Sequence, residues 1–257
     1  MNRITELFKN KPRNILSIYC TAGYPALQDT TTILEELERS GADMIELGIP
    51  FSDPLADGPV IQGSSEAALK NGMSLKLLFE QIKDIRKTVS VPILLMGYLN
   101  PVLQYGMSNF VAKCAESGID GVIIPDLPLD EYLGKYKEEF TKHNLFNIFL
   151  VTPQTSVERI KIIDKESNGF IYLVSSSSIT GNTISASDAQ SAYFEKVRSL
   201  NLKNPSLVGF GIGDRKSFDF AASYSSGAII GSAFIKAISQ QGDLRSSVRE
   251  FVQRFKN

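Results

Sequence analysis

The order of apolar and amphipathic segments predicts an α/β fold, a single (β/α)8 TIM barrel in which eight parallel strands form a ring inside a layer of helices. Two observations predict it: short β-branched runs alternate with helical patterns from end to end, and these runs number eight. A length of 257 residues, 43% of them apolar, suits one domain of this kind, which we expect to span residues 1–257. A doubly wound open sheet is the alternative.

The strands are expected where the apolar runs lie. The runs are Ile15–Cys20, Met44–Leu47, Ile93–Met96, Gly121–Ile124, Asn147–Val151, Ile171–Val174, Ser206–Gly209 and Ala228–Ile230. A glycine precedes three of them, at Gly41, Gly118 and Gly227, where it is typical of a helix stop. These glycines locate strands and carry no functional information.

The helices are expected between the runs. Asp29–Ser40 has a helical pattern, and Ser74–Thr88 carries one apolar stripe at spacings of four, three and four. Extra helices are expected at the two ends of the barrel, over Thr5–Lys9 and Leu244–Phe255. The stripe consists of Leu78, Ile82, Ile85 and Val89.

Composition argues against several classes of function. A net charge of −1 and a pI near 6.0 give no basic surface for nucleic acid or an anionic membrane. Cys20 and Cys114 lack metal or redox spacing, and the N-terminal segment lacks a signal-peptide core, so a reduced, cytoplasmic protein is expected. The single histidine, His143, falls near the end of the helical segment Asp130–His143. Histidine-based triads and metal sites are therefore not expected.

The chemistry of such a barrel lies at the C-terminal ends of its strands. Glu46 closes the second run and Asp57 follows in a Pro/Gly-rich loop, an arrangement typical of carboxylates that share acid and base work. No lysine or histidine stands at these ends, which disfavours Schiff-base and metal aldolase chemistry. The residues just past the runs are Thr21, Glu46, Tyr98 with Asn100, Asp126, Thr152, Ser175, Gly211, and Gly231 with Ser232.

Three late glycine segments predict a phosphate site. They are Ile179-Thr-Gly-Asn182, Gly209-Phe-Gly-Ile-Gly-Asp214 and Ile229-Ile-Gly-Ser232, the last opening a short helix. Backbone N–H groups of such loops bind an anion without any cationic side chain, although tight turns explain the glycines as well. The polar stretch Ser175–Ser187 is long for a strand-to-helix connection, which predicts a mobile lid, with a solvated linker as the alternative.

One segment is highly specific: Glu46-Leu-Gly-Ile-Pro-Phe-Ser-Asp-Pro-Leu-Ala-Asp57-Gly-Pro. Other motifs accompany it, namely Tyr19-Cys-Thr-Ala-Gly-Tyr-Pro25, Met96-Gly-Tyr-Leu-Asn-Pro101, Pro125-Asp-Leu-Pro128, Ile179-Thr-Gly181, Gly209-Phe-Gly-Ile212 and Ile230-Gly-Ser-Ala233. With these motifs the chain resembles the α subunits of tryptophan synthase over nearly its full length.

The resemblance implies a lyase of tryptophan biosynthesis that cleaves indole-3-glycerol phosphate to indole and glyceraldehyde 3-phosphate. It implies Glu46 as the general acid/base and Asp57 as the acceptor of the indole N–H, with no cofactor or metal in this chain. The substrate-binding residues would be Thr21, Tyr98, Tyr172, Thr180, Gly181, Phe210, Gly211, Gly231 and Ser232. The aromatic members could equally fill the barrel mouth, and Thr21 could be a simple strand-end hydroxyl.

The resemblance also implies an α2β2 tetramer, in which indole passes to a β subunit that holds pyridoxal phosphate. The exposed apolar, proline-rich loops Phe51–Leu55 and Pro101–Gly106 are the expected docking surfaces. Within or beside them, the expected interface residues are Asp53, Pro54, Asn100 and Gln104.

One departure from the family pattern concerns the expected lid. Ser176 and Ser178 stand where many members have an arginine and a glycine, so lid closure and its coupling to the partner are expected to differ. Two alternatives stay open, of which only the first is motivated by this departure. The first is a non-catalytic, phosphate-binding regulatory subunit of the β enzyme. The second is another phosphate-binding barrel of the pathway, an isomerase or the indole-glycerol-phosphate synthase, the latter disfavoured by the missing strand-end lysine.

Overall fold

The central element is a ring of parallel strands. The computed structural model describes residues 1–54, 57–175, 188–240 and 242–256, with the side chains of residues 188 and 189 left out. In these ranges the strands are β1 (Ile15–Thr21), β2 (Met44–Gly48), β3 (Ile93–Met96), β4 (Gly121–Ile123), β5 (Phe146–Ile148), β6 (Leu150–Val151), β7 (Ile171–Val174), β8 (Ser206–Gly209) and β9 (Gly227–Ile230). Their order is β5-β4-β3-β2-β1-β9-β8-β7-β6, all pairs parallel.

The strands β5 and β6 form the fifth position of the ring. Only Phe149 separates them, so they join the two ends of the strand order. The expected single strand Asn147–Val151 is therefore corrected: it begins at Phe146 and is interrupted where the chain changes partner, from β4 to β7. The Phe149 carbonyl still accepts the Tyr172 N–H at 3.0 Å. The predicted (β/α)8 barrel is confirmed.

Helices cover the outside of the ring. They are α1 (Arg3–Asn10), α2 (Asp29–Ser40), α3 (Pro59–Lys70), α4 (Leu75–Ile82), α5 (Leu99–Tyr105), α6 (Met107–Glu116), α7 (Leu129–Glu131), α8 (Lys137–Lys142), α9 (Val157–Glu166), α10 (Asp188–Ser199), α11 (Arg215–Tyr224), α12 (Ser232–Ile238) and α13 (Leu244–Gln253). A 3₁₀ turn, Ile85–Lys87, follows α4, and a π-helical segment, Tyr132–Tyr136, joins α7 to α8. None of these helices is long and apolar enough to cross a membrane.

The helix predictions are confirmed with two corrections. The bounds of α2 match the expectation, and both terminal helices are present with shifted ends. The expected continuous helix Ser74–Thr88 is wrong: Ser74 is the N-cap, accepting the Leu77 N–H, and the helix ends at Ile82. Its apolar stripe is nevertheless buried throughout, because the 3₁₀ turn keeps the last two stripe residues on the core side. The second correction divides Asp130–His143 among α7, the π-helical segment and α8, with His143 as the C-cap.

The N-terminal end of the barrel is closed. Ile4 of α1 is fully buried in the interior apolar cluster, which includes Ile15, Met44 and Leu94. Asn2 fixes this helix by donating to the Asp120 carbonyl at 2.8 Å. Because this end of the barrel interior is filled with apolar side chains, the cavity that contains Glu46 and Asp57 lies at the opposite end.

Alternation along β1 shows how the sequence fills the other end. Leu16 and Ile18 pack between the sheet and the helices, whereas Ile15 belongs to the interior cluster. Ser17 contacts Glu46 of β2, and Tyr19 pairs with that residue in register. The inward side chains therefore change from apolar to polar as the strand approaches its C-terminal end.

Candidate active site

A cavity of about 770 Å³, including its open mouth, lies at the C-terminal ends of the strands. Seven of the expected site residues line it: Glu46, Asp57, Tyr172, Phe210, Gly211, Gly231 and Ser232. Eight further residues complete its wall: Tyr19, Ile61, Met96, Ile212, Gly213, Ile229, Ala233 and Lys236. The cavity thus has two carboxyl groups at one part of its wall and glycine backbone at another.

Glu46 is the deepest functional group. Its side chain is fully buried on β2, and the Ser17 hydroxyl donates to its Oε1 at 3.5 Å. Its Oε2 has no hydrogen-bond partner among the described residues. Burial raises the pKa of Glu46 to about 8, and the Ser17 hydrogen bond opposes this only partly. Glu46 is therefore largely protonated at neutral pH, with one oxygen free to exchange a proton with a ligand.

Asp57 stands just before α3, whose first residue is Pro59. The Tyr98 hydroxyl donates to its Oδ2 at 3.1 Å. Burial raises the pKa of this carboxyl, while the Tyr98 hydrogen bond lowers it. Unlike Glu46, Asp57 thus has a donor that favours its ionised form at close to ordinary hydrogen-bond length.

Tyr98 does not line the cavity but supports Asp57 from behind. Its ring packs on Phe51, with centroids 5.4 Å apart. Asp126 accepts the N–H of Leu99 at 2.8 Å, which fixes the backbone beside Tyr98. Tyr98 therefore contacts Asp57 directly, and Asp126 fixes the backbone that carries Tyr98.

Two tyrosines each lie over a glycine of the next strand. A β-carbon on Gly48 would be 2.1 Å from the Tyr19 hydroxyl oxygen, and one on Gly209 would be 2.1 Å from that of Tyr172. Tyr19 was not among the site residues expected from the sequence, although alternation from Ser17 places its side chain inward. Burial raises the pKa of both tyrosines well above the usual value, so both hydroxyls stay protonated donors.

The glycine part of the wall follows β8 and β9. Phe210 and Gly211 both have left-handed backbone, at φ 70° and 73°, and the Ser175 hydroxyl donates to the Phe210 carbonyl at 2.6 Å. The N–H groups of Gly211 and Ser232 have no acceptor among the described residues, whereas that of Gly213 donates to the Ser217 hydroxyl at 3.1 Å. Two unpaired N–H groups on the cavity wall suit an anion.

Lys236 adds a cationic side chain to the cavity wall that was not expected from the sequence. It follows Ser232 by four residues on α12, so both lie on one helix face, and both line the cavity. Lys236 was not expected from the sequence because it lies one helical turn beyond the strand end. The helical periodicity of 3.6 residues, counted from Ser232, would have placed Lys236 on the same helix face as Ser232.

Three expected substrate-binding residues remain, of which the structure describes only Thr21. Thr21 is buried outside the cavity wall, with its hydroxyl 2.7 Å from that of Ser64. Thr180 and Gly181, together with Ser176, Ser178 and the rest of the expected lid after Ser175, lie outside the described residues.

The expected interface residues are all at least partly exposed. Asp53, Asn100 and Gln104 are exposed and Pro54 is half-buried. Leu103 was not expected at this surface. It lies between Asn100 and Gln104 on α5, and its side chain is 46% exposed. In the ranges that the structure covers, no group of three or more His, Cys, Asp or Glu residues is arranged to hold a metal ion.

A buried carboxylic acid, a second carboxylate and an anion-binding wall at the C-terminal face define a (β/α)8-barrel enzyme that combines acid–base chemistry with an anionic substrate. Residues 6–257 match the family model described as "Tryptophan synthase alpha chain". The chain belongs to this family.

Relatives and solved structures agree with this assignment. The chain is 58% identical to the tryptophan synthase alpha chain of Flavobacterium psychrophilum over 252 residues, 98% of each chain, and 57% identical to that of Christiangramia forsetii over 256 residues, 100% and 99% of the two chains. It superposes on the alpha chain from Legionella pneumophila with a TM-score of 0.88 at 34% identity, covering 100% of this chain and 96% of the other. Tryptophan synthase from M. tuberculosis in its aminoacrylate-bound form gives a TM-score of 0.86 at 30% identity, covering 99% and 98%.

Proposed function

We propose that this tryptophan synthase α chain cleaves indole-3-glycerol phosphate to indole and glyceraldehyde 3-phosphate with Glu46 as the proton carrier and Asp57 as the partner of the indole nitrogen. The observation that carries the proposal is the unequal environment of the two acids in one cavity. Glu46 is fully buried with an unpartnered oxygen, whereas Asp57 accepts a hydrogen bond from Tyr98. Two carboxyl groups in such different environments suit two different roles.

The first step needs a proton at C3 of the indole. Protonated Glu46 supplies it, and the positive charge that results is shared with N1 of the ring. Ionised Asp57 accepts the N1–H and stabilises this charge, an electrostatic effect that is strong in a site shielded from water. The Tyr98 hydrogen bond supports this role because it favours the ionised form of Asp57.

The second step breaks the bond between C3 and the glycerol side chain. Glu46, now ionised, takes the proton of the adjacent glycerol hydroxyl, whose oxygen becomes the aldehyde carbonyl of glyceraldehyde 3-phosphate. The bonding electrons return to the ring and discharge N1, so indole leaves neutral. Glu46 ends protonated, as it began, and no external electron acceptor is required.

The phosphate belongs at the glycine part of the wall. The N–H groups of Gly211 and Ser232 have no acceptor among the described residues and can donate to its oxygens. Gly231 lies beside Tyr19, whose Cβ would be 3.5 Å from an added β-carbon. Tyr172 and Phe210 also line the cavity, with their ring centroids 5.8 Å apart. The indole ring then lies beside the acids and the phosphate beside α12.

The chain works with the tryptophan synthase β subunit, to which the indole passes. We place pyridoxal phosphate on that subunit and none in this chain. We place the docking surface at Asp53, Pro54, Asn100 and Gln104, with Leu103 as its exposed apolar centre. Residues 1–257 are proposed to form one domain in the cytoplasm, where amino-acid biosynthesis supplies the substrate.

The experiment that tests this function measures indole released from indole-3-glycerol phosphate by the isolated chain and by the chain with its β subunit. Release in either condition, with glyceraldehyde 3-phosphate formed in equal amount, supports the lyase. If neither condition yields indole while the chain still binds the substrate and changes β-subunit activity, the chain is a regulator and the proposal is wrong.

A further inference from the structure

Lys236 is a cation on the cavity wall without a counter-ion in the described part of the chain. It lies on α12 one helical turn after Ser232, and both residues line the cavity. None of the ion pairs or side-chain hydrogen bonds of the described residues involves its ammonium group. Its side chain is exposed, so the ammonium group can reach a ligand without losing an existing partner.

Apart from Lys236, the described part of the cavity wall has no positively charged side chain that could balance the charge of a phosphate monoester. The other charged residues that line the cavity are Glu46 and Asp57, both acids. A phosphate monoester carries a charge between about −1.5 and −2 at pH 7. The N–H groups of Gly211 and Ser232 carry only partial positive charges. A full positive charge at this part of the wall would therefore strengthen the binding of the phosphate.

We propose that the Lys236 ammonium group is the counter-ion of the substrate phosphate, binding the oxygens that the Gly211 and Ser232 N–H groups leave uncovered. This inference rests on the proposed function, since it takes the phosphate of indole-3-glycerol phosphate as the ligand. Lys236 is a binding residue in this account. It contributes to affinity equally before and during the reaction, because the phosphate charge does not change.

The test compares Lys236→Gln and Lys236→Arg with a matched control, Lys216→Gln. Lys216 is an exposed lysine on α11, the helix that follows β8 at the same face of the barrel, and it does not line the cavity. Binding of glycerol 3-phosphate and of indole is measured separately by calorimetry on the full chain, and KM and kcat for indole-3-glycerol phosphate are measured with the β subunit present.

Lys236→Gln is expected to weaken glycerol 3-phosphate binding and to raise KM by roughly 10-fold, the effect of one lost charge-assisted hydrogen bond. Indole binding and kcat should stay within about twofold of wild type, because neither depends on the phosphate charge. Lys236→Arg should keep most of the affinity, and the control should behave as wild type. Raising the salt concentration should weaken phosphate binding more in wild type than in Lys236→Gln.

The inference is overturned if Lys236→Gln binds glycerol 3-phosphate as wild type does, or if Lys216→Gln loses as much affinity. It is also overturned if indole binding falls in parallel, because that would indicate a disturbed cavity. Failure of the proposed function has a different result: the wild-type chain itself would release no indole, whatever the effect of the lysine substitutions on glycerol 3-phosphate binding.

Discussion

The side chain of Tyr172 occupies the space that a β-carbon on Gly209 would need. Such a carbon would be 2.1 Å from the tyrosine hydroxyl oxygen and 2.3 Å from the ring carbon that bears it. Gly209 pairs with Val174, two residues after Tyr172, so the tyrosine leans along β7 across the neighbouring strand. The absence of one side chain on β8 thus sets the position of an aromatic ring in the cavity.

Substituting Gly209→Ala is therefore expected to move Tyr172 into the cavity and to lower kcat/KM at least about 100-fold. We expect a loss of unfolding free energy of about 1–3 kcal/mol, the usual cost of overpacking. Tyr172→Ala in the same chain should recover part of the stability but not the activity. Urea unfolding and indole release measure the two effects.

Gly63→Ala provides the matched control, since a β-carbon on Gly63 meets no atom within 4 Å on the exposed face of α3. It should be neutral or slightly stabilising. Equal losses in both variants, or wild-type activity in Gly209→Ala, would show that the Tyr172 position does not depend on Gly209.

The Tyr98 hydroxyl is expected to matter through Asp57. Tyr98→Phe removes the 3.1 Å hydrogen bond but keeps the ring that packs on Phe51. Because this bond favours ionised Asp57, we expect kcat to fall about 3- to 10-fold, the range of one ordinary hydrogen bond, with little change in KM. Tyr224→Phe is the control, because its ring packs on Phe194 and does not line the cavity. A Tyr98→Phe enzyme with unchanged kcat would contradict the role of this bond.

Glu46 is expected to make the protein less stable as the pH rises. Its carboxyl has a pKa of about 8 in the folded protein and an ordinary value of 4.5 when unfolded, so folding favours the protonated form. The associated stability is complete below pH 4.5 and is lost as the pH rises to about 8. Glu46→Gln has no such loss.

The free energy of unfolding of Glu46→Gln should therefore exceed that of wild type increasingly between pH 5 and pH 9, with an upper limit of about 5 kcal/mol. Urea unfolding of both proteins across this range measures the gap. A gap that is constant with pH would mean that Glu46 titrates normally in the folded protein.

The pH dependence of kcat/KM should report the titration of the Glu46 carboxyl group. Since the reaction begins with protonated Glu46, the rate should decrease above a pKa of about 8. Ser17→Ala should move this decrease to higher pH, because the Ser17 hydrogen bond holds the pKa of Glu46 down. A decrease that moves to lower pH in Ser17→Ala, or that is absent in wild type, would contradict the assignment.

The sequence predicted the barrel because alternating β-branched and amphipathic runs leave few other arrangements. Glu46 and Asp57 were expected together because their positions follow from the strand end and a specific motif, and both line the cavity. The interruption at Phe149 was not predictable, since it depends on which neighbour each half of the run pairs with.

Tyr19 and Lys236 were missed for a different reason. Tyr19 lies inside an apolar run, where its burial alone suggests packing, and only the register beside Glu46 shows that it faces the cavity. Lys236 reaches the cavity because α12 runs along its wall, which depends on the packing of that helix. Residues such as these, which reach the cavity from within a strand or along a helix, can be identified only from the three-dimensional structure.

The most direct test of the account is the rate of indole release from indole-3-glycerol phosphate by Glu46→Gln, measured beside wild type with the β subunit present. The substitution keeps the shape of the buried side chain but cannot carry the proton. We predict that kcat falls at least about 100-fold while KM changes little. Wild-type turnover in Glu46→Gln would contradict the central claim that Glu46 is the proton carrier.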